Sequence, residues 1–123
     1  MPAANPRRVV EQFCTKFPDQ LVSLTRIIGD EKASQFRLKR NLKKLHEESH
    51  SLKGAAYCMG FPSIGAAFFK LEQNTQRLLE SKKDVTPQLM ERIYLDLSKV
   101  AKLRRTVAPE QSKLLQSFEN PAQ

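Results

Sequence analysis

Two histidines stand four apart in His46-Glu47-Glu48-Ser49-His50, and the second opens a different run, His50-Ser51-Leu52-Lys53-Gly54. On a helix, histidines at that spacing present ring nitrogens to one metal, and the intervening glutamate can activate a bound water, which is the H-E-x-x-H chemistry of zinc peptidases. A catalytic zinc also needs a third protein ligand and a cleft that holds the peptide. No third histidine exists in the chain, and Lys53 stands where the longer zinc motif has glycine. Glu72 or Glu80 would have to serve as the third ligand, with no sheet edge to bind a peptide. The zinc enzyme is therefore the weaker reading.

The second run makes different demands. At about 100° per residue, His50 lies roughly 130° from the apolar seam of its helix and faces solvent. Gly54 is one turn on, nearly opposite the core. A glycine inside a long helix costs about 1 kcal/mol relative to alanine, and close approach of another molecule beside His50 would account for it. Lys53 lies between seam and histidine, its ammonium within reach of the imidazole edge or of a phosphate placed there. An exposed imidazole beside a cation and a missing side chain is a nucleophile with room for an anion. Its second nitrogen needs an acceptor. If the helices reverse near Phe61-Pro62, the residues level with His50 are Glu72 and Gln73, and the Glu72 carboxylate would orient the ring and stabilise its protonated, phosphorylated form; the alternatives for Glu72 are a solvated charge or an ion-pair partner for Lys53.

These residues must be positioned by helices, because four segments carry apolar residues at helical spacing. The first runs from Pro6 to Ile28 through Val10, Phe13, Phe17, Leu21 and Leu24, stops at Gly29-Asp30, and should kink or restart at Pro18. The second, Glu31 to Met59, has Leu38, Leu42, Leu45, Ser49, Leu52, Ala56 and Met59 as its seam. Gly60 ends it and Pro62 starts the third, with Ile64, Phe68, Leu71, Thr75 and Leu78; Phe69 is expected in the core beside Phe68. Thr86-Pro87 starts the fourth, with Leu89, Ile93, Leu97, Val100 and Leu103, which Pro109 closes. Alternation at Tyr94 to Leu97 is too short to compete as a strand. Short loops make consecutive helices antiparallel, so the expected fold is all-α, an up-down-up-down antiparallel four-helix bundle over residues 1–108. Residues 109–123 form a C-terminal tail with room for a short helix through Leu114, Leu115 and Phe118, expected to fray toward Asn120-Pro121.

Length and composition agree with one domain. The chain has 123 residues, 40% of them hydrophobic, without an apolar run long enough for a membrane span and without a signal-peptide pattern. A cytoplasmic protein, with no membrane association, is expected. Cys14 and Cys58 are too far apart in sequence and too few to suggest a disulfide framework or a cysteine zinc site. The formal charge of +8 implies an acidic partner. Much of it sits in Arg37, Lys39, Arg40, Lys43, Lys44 and Lys53, on the helix that carries His50. Met1 points to a complete small reading frame, with an excised domain as the alternative.

His50-Ser51-Leu52-Lys53-Gly54, Gly60 ten residues after the histidine, and Leu71-Glu72 resemble the H-x-L-K-G-x(5)-G … L-E pattern of histidine-containing phosphotransfer (HPt) domains. The resemblance covers the whole chain, including a first helix interrupted by proline at Phe17-Pro18. It implies a phosphorelay intermediate without kinase activity of its own. His50 would accept a phosphoryl group from a receiver-domain phospho-aspartate, as on a hybrid sensor kinase, and pass it to the aspartate of a response regulator. Lys53 and Gly54 match the family's lysine and glycine, and Glu72 matches its ring-orienting residue by position. It also implies that Mg²⁺ belongs to the receiver, so no metal site and no cofactor are expected on this chain, and a monomer is expected.

His46 stands where the family fixes no residue, and Tyr57-Cys58-Met59 is bulkier than the small residues often found there. His46 is expected to be a solvated residue on the docking flank, with Lys43, Gly54, Tyr57 and Cys58 as further docking candidates. Tyr57 is either a packing residue at the seam edge or part of the recognition surface, and Cys58 an exposed thiol. Two alternatives use the same features: an adaptor that sequesters a receiver without phosphotransfer, and a basic helical nucleic-acid-binding module, which leaves the glycine beside the histidine unexplained.

Overall fold

Three of the four long helices begin where a capping side chain meets an extended backbone, and the other begins at a proline. In a computed structural model, which describes residues 5–29 and 34–119, Asn5 Oδ1 accepts from the Arg7 amide at 3.0 Å, Ser34 Oγ from Arg37 at 3.3 Å and Thr86 Oγ1 from Leu89 at 3.2 Å. Pro6, Pro62 and Pro87 hold first-turn positions, where the absent amide hydrogen is no loss. The helices are α1 (Pro6–Arg26), α2 (Gln35–Cys58), α3 (Pro62–Glu80) and α4 (Pro87–Leu103), followed by two short 3-10 turns (Arg104–Thr106 and Pro109–Gln111) and α5 (Lys113–Glu119). Among the described residues there is no strand; Tyr94 to Leu97 lie inside α4. None of these helices is long and apolar enough to cross a membrane.

Several boundaries differ from expectation. Asp30 and Glu31, read as the stop of one helix and the start of the next, lie outside the described residues. α1 ends at Arg26, and Gly29 follows with φ 65°. Pro18 does not restart the helix: α1 runs through it. The proline deprives the Cys14 carbonyl of its helical partner, but it faces solvent, while Phe17 and Leu21 on the opposite side stay anchored in the core. α4 stops at Leu103, before Pro109 is reached.

The stripes converge on one core. Val10, Phe17, Leu21, Leu24 and Ile28 meet Leu38, Leu42, Leu45, Leu52 and Ala56, then Ile64, Phe68, Leu71 and Leu78, then Ile93, Leu97 and Val100. Phe17 meets Phe68 edge-on at 6.2 Å, and Phe13 stacks on Phe61 at 5.8 Å. Leu89 departs from its assigned place: it is exposed, and Met90 is buried instead. Phe69 is likewise 44% exposed rather than core, because it stands one residue and therefore about 100° round α3 from buried Phe68.

Helices α2 and α3 run antiparallel beside each other, since His46 meets Thr75, His50 meets Glu72, and Tyr57 meets Gly65. The Gln35 side-chain amide bonds both backbone groups of Val85, at 2.8 and 3.0 Å, tying the α3–α4 loop to the start of α2. Asn74 donates to buried Asp96 at 2.6 Å and links α3 to α4.

The C-terminal segment packs as far as it is described. Ser112 and Leu115 are buried, Ser112 Oγ donates to the Met59 carbonyl at 2.6 Å, and the Lys113 amide donates to the Gly60 carbonyl at 2.8 Å. Arg7 grips both carboxylate oxygens of Glu119, at 2.7 and 2.8 Å. Asn120 and Pro121, where fraying was expected, lie outside the described residues.

Candidate functional site

The site grows from one face of α2. Residues seven apart on a helix lie nearly in line, two turns from one another, so Lys43, His50 and Tyr57 share a face, with His46 and Gly54 one turn to either side of His50. Ser49 and Leu52, buried on the seam, fix how far that face is turned from the core.

The His50 side chain is 66% exposed, and its Nδ1 lies 2.8 Å from Glu72 Oε1 on α3. Glu72 itself is only 13% exposed. A carboxylate accepts, so Nδ1 carries the hydrogen, and in the neutral ring the lone pair is left on Nε2. The other carboxylate oxygen, Oε2, lies 2.7 Å from Lys53 Nζ, where charge attraction and not a well-directed hydrogen bond holds it. Burial by itself would push the Glu72 carboxyl up. The Lys53 ammonium and the His50 ring outweigh burial and hold it below the ordinary carboxylate value of 4.5. The carboxylate is thus ionised and shared between a fixed cation and an imidazole.

Lys53 takes up the ion pair with Glu72, the second of the two places open to it. It points to Glu72 and not to the imidazole edge, and its ammonium also sits 5.3 Å from the centroid of the Phe69 ring. Gly54 is open: a Cβ built there meets nothing within 4 Å. Nothing in the fold requires glycine at that position, and the surface beside His50 is left bare.

The candidate docking residues divide. Lys43 and Cys58 are exposed, Cys58 as a free thiol. Tyr57, 47% exposed, does both things left open for it, presenting part of its ring to solvent and laying the rest over Gly65, where a Cβ would come within 2.9 Å of the ring. His46 is not solvated on a flank. It is half-buried, with Nδ1 at 3.1 Å from the Glu72 carbonyl oxygen and 3.3 Å from Thr75 Oγ1. Both histidines of the H-E-x-x-H run therefore turn Nδ1 toward the α3 helix at Glu72, while Glu80 lies two turns on, bonded to Gln76. No cluster of three or more metal-binding side chains occurs among the described residues.

Three residues of the site escaped sequence reading: Phe69 as a surface aromatic, Gly65 as the floor under Tyr57, and the inward turn of His46. Phe69 was within reach, because Phe68 already occupies the seam. The His46 bond was not, since it depends on how closely α3 approaches α2.

The Hpt domain family matches residues 8–107, and the chain belongs to it. Membership makes the protein a histidine phosphotransfer module of a phosphorelay, one of a class whose partners are the receiver domains of two-component systems. No curated protein and no solved structure matches the chain.

Proposed function

We propose that His50 is the phosphoacceptor of this module, taking a phosphoryl group from a receiver phospho-aspartate and passing it to the aspartate of another receiver. The observation that carries this reading is the exposed His50 ring, its Nδ1–H given to an ionised, mostly buried carboxylate, beside a glycine with open space in front of it. The Nε2 lone pair attacks phosphorus in line, the P–O bond of the acyl phosphate breaks, and the aspartate leaves as a carboxylate. Phosphorylated on Nε2 and still protonated on Nδ1, the ring is cationic, and Glu72 stabilises that charge in place. Lys53 keeps Glu72 ionised and aimed. Transfer onward is the same displacement reversed, with the receiver supplying Mg²⁺ and most of the electrostatic stabilisation, so this chain needs no cofactor.

The platform is the up-down-up-down bundle α1 to α4 over residues 1–108, with residues 109–123 as a packed extension, acting as a cytoplasmic monomer. Docking falls to the α2 face around His50, where Gly54, Tyr57 and Phe69 offer a small aromatic patch and Lys43 with its basic neighbours attracts an acidic receiver. The zinc, nucleic-acid and sequestering readings lack any such single observation in their favour.

Incubation with a phosphorylated receiver tests the assignment. Acid-labile label is expected to move to the protein and to be lost in a His50→Gln variant; full labelling of that variant would sink it.

A further inference from the structure

His46 is the site's second histidine, and the transfer chemistry assigned to His50 leaves it without a task. Its geometry supplies one. A backbone carbonyl only accepts, so the 3.1 Å contact with the Glu72 oxygen puts a hydrogen on His46 Nδ1. The Thr75 hydroxyl lies 3.0 and 2.8 Å from the Leu71 and Glu72 carbonyls, to which it donates, and its oxygen faces the same His46 hydrogen at 3.3 Å. Glu72 is thereby held at both ends from one face of α2: its backbone by His46, its two carboxylate oxygens by His50 and Lys53.

We propose that His46 is a positioning residue for phosphotransfer, its Nδ1–H clamping the α3 backbone at Glu72 so that the carboxylate meets His50 Nδ1 at bonding distance. Glu72 reaches His50 across the gap between two helices, so a slide or roll of α3 by about 1 Å breaks the 2.8 Å contact, and misplacement on that scale is enough to cost up to about 100-fold in rate. The buried residues of the α2–α3 seam near this level include Ser49 and Thr75, whose hydroxyls donate within their own helices, so among the described residues the hydrogen bond from α2 to the α3 backbone here is the one from His46. That bond lies one turn from the reacting ring.

The inference rests on His50 as the phosphoacceptor, and its test separates the two. His46→Phe keeps a ring and removes the donor. His46→Asn puts an amide hydrogen close to where Nδ1–H stood. Each is made alone and with Glu72→Ala. The neutral tautomer of His50 is read by ¹⁵N NMR on the unphosphorylated protein. Single-turnover transfer at saturating phospho-receiver, and receiver affinity, are measured separately.

His46→Phe is expected to move His50 from the Nδ1–H toward the Nε2–H tautomer and to slow saturated transfer about tenfold at unchanged receiver affinity, a loss that should vanish in the Glu72→Ala background. His46→Asn should restore most of both. An unchanged tautomer, an equal loss with Glu72 already removed, or a change in affinity alone would each overturn the proposal, the last making His46 a docking residue. Should His46→Phe not fold, His46→Leu is read in the same way. If the wild-type protein carries no label on His50, the phosphotransfer reading fails while the tautomer still decides whether His46 positions Glu72.

Discussion

Glu72 is the residue on which the site turns, because one mostly buried carboxylate serves an imidazole and an ammonium and, in the proposed transfer, the charge of the phosphorylated ring. A hydrogen bond to a charged group contributes about 1.5–3 kcal/mol. Glu72→Ala should therefore slow transfer at saturating receiver by about 10- to 100-fold, converting at about 1.4 kcal/mol per decade. The carboxyl is held below its ordinary value of 4.5, so it binds protons less readily folded than unfolded. Its ionised form favours the native state above about pH 4.5, and that contribution is lost as pH falls through the lowered folded value. Denaturant unfolding of wild type and Glu72→Gln at a series of pH values checks the sign: the stability gap present at about pH 4.5 should shrink as pH falls below it. The roles assigned to His50, Lys53 and Glu72 were proposed from residue type and spacing, and the geometry brings the three together. For Lys53 the sequence left two targets open, the imidazole edge and an ion pair with Glu72, and only the setting of α3 against α2 decides for Glu72.

At the scale of elements, two glycines at the ends of one motif do opposite things. Gly54 lies mid-helix with open space around it, so Gly54→Ala should raise stability by about 0.5–1 kcal/mol while weakening receiver docking or slowing transfer. Gly60 ends α2 with φ 87°, and a Cβ there would come within 2.8 Å of the Lys113 amide and Ser112 Oγ. Gly60→Ala should therefore destabilise by more than about 1 kcal/mol, from the left-handed backbone alone, and loosen α5 besides. Thermal or urea unfolding of both variants, with transfer assays on Gly54→Ala, checks the contrast. The stop at Gly60 was readable from sequence, as were the helix starts at Thr86 and Pro62. That Gly60 also makes room for the C-terminal segment was not, because the partners lie more than 50 residues away in the chain.

For the whole molecule, the charge of +8 and the exposed lysines and arginines of α2 make association with an acidic receiver surface salt-dependent. The association rate constant should fall about tenfold between roughly 0.05 and 0.5 M salt, with Lys43→Glu lowering it further at low salt, while dissociation changes little; stopped-flow binding separates the two. By itself the sequence determined that the chain is helical, that apolar stripes run along four segments, and that His50 faces outward, because these follow from the 3.6-residue period and from capping residues a few positions apart. It did not determine the phase of the fourth stripe at Leu89 and Met90, the survival of α1 through Pro18, or the docking of α5. Tertiary structure decided those, and it decided which way each polar side chain of the site turns. The face of a helix is a property of its own residues. The partner across a gap of a few ångströms depends on how two helices are set against each other, and that setting placed His46 inward on Glu72 and left Phe69 at the surface beside Lys53.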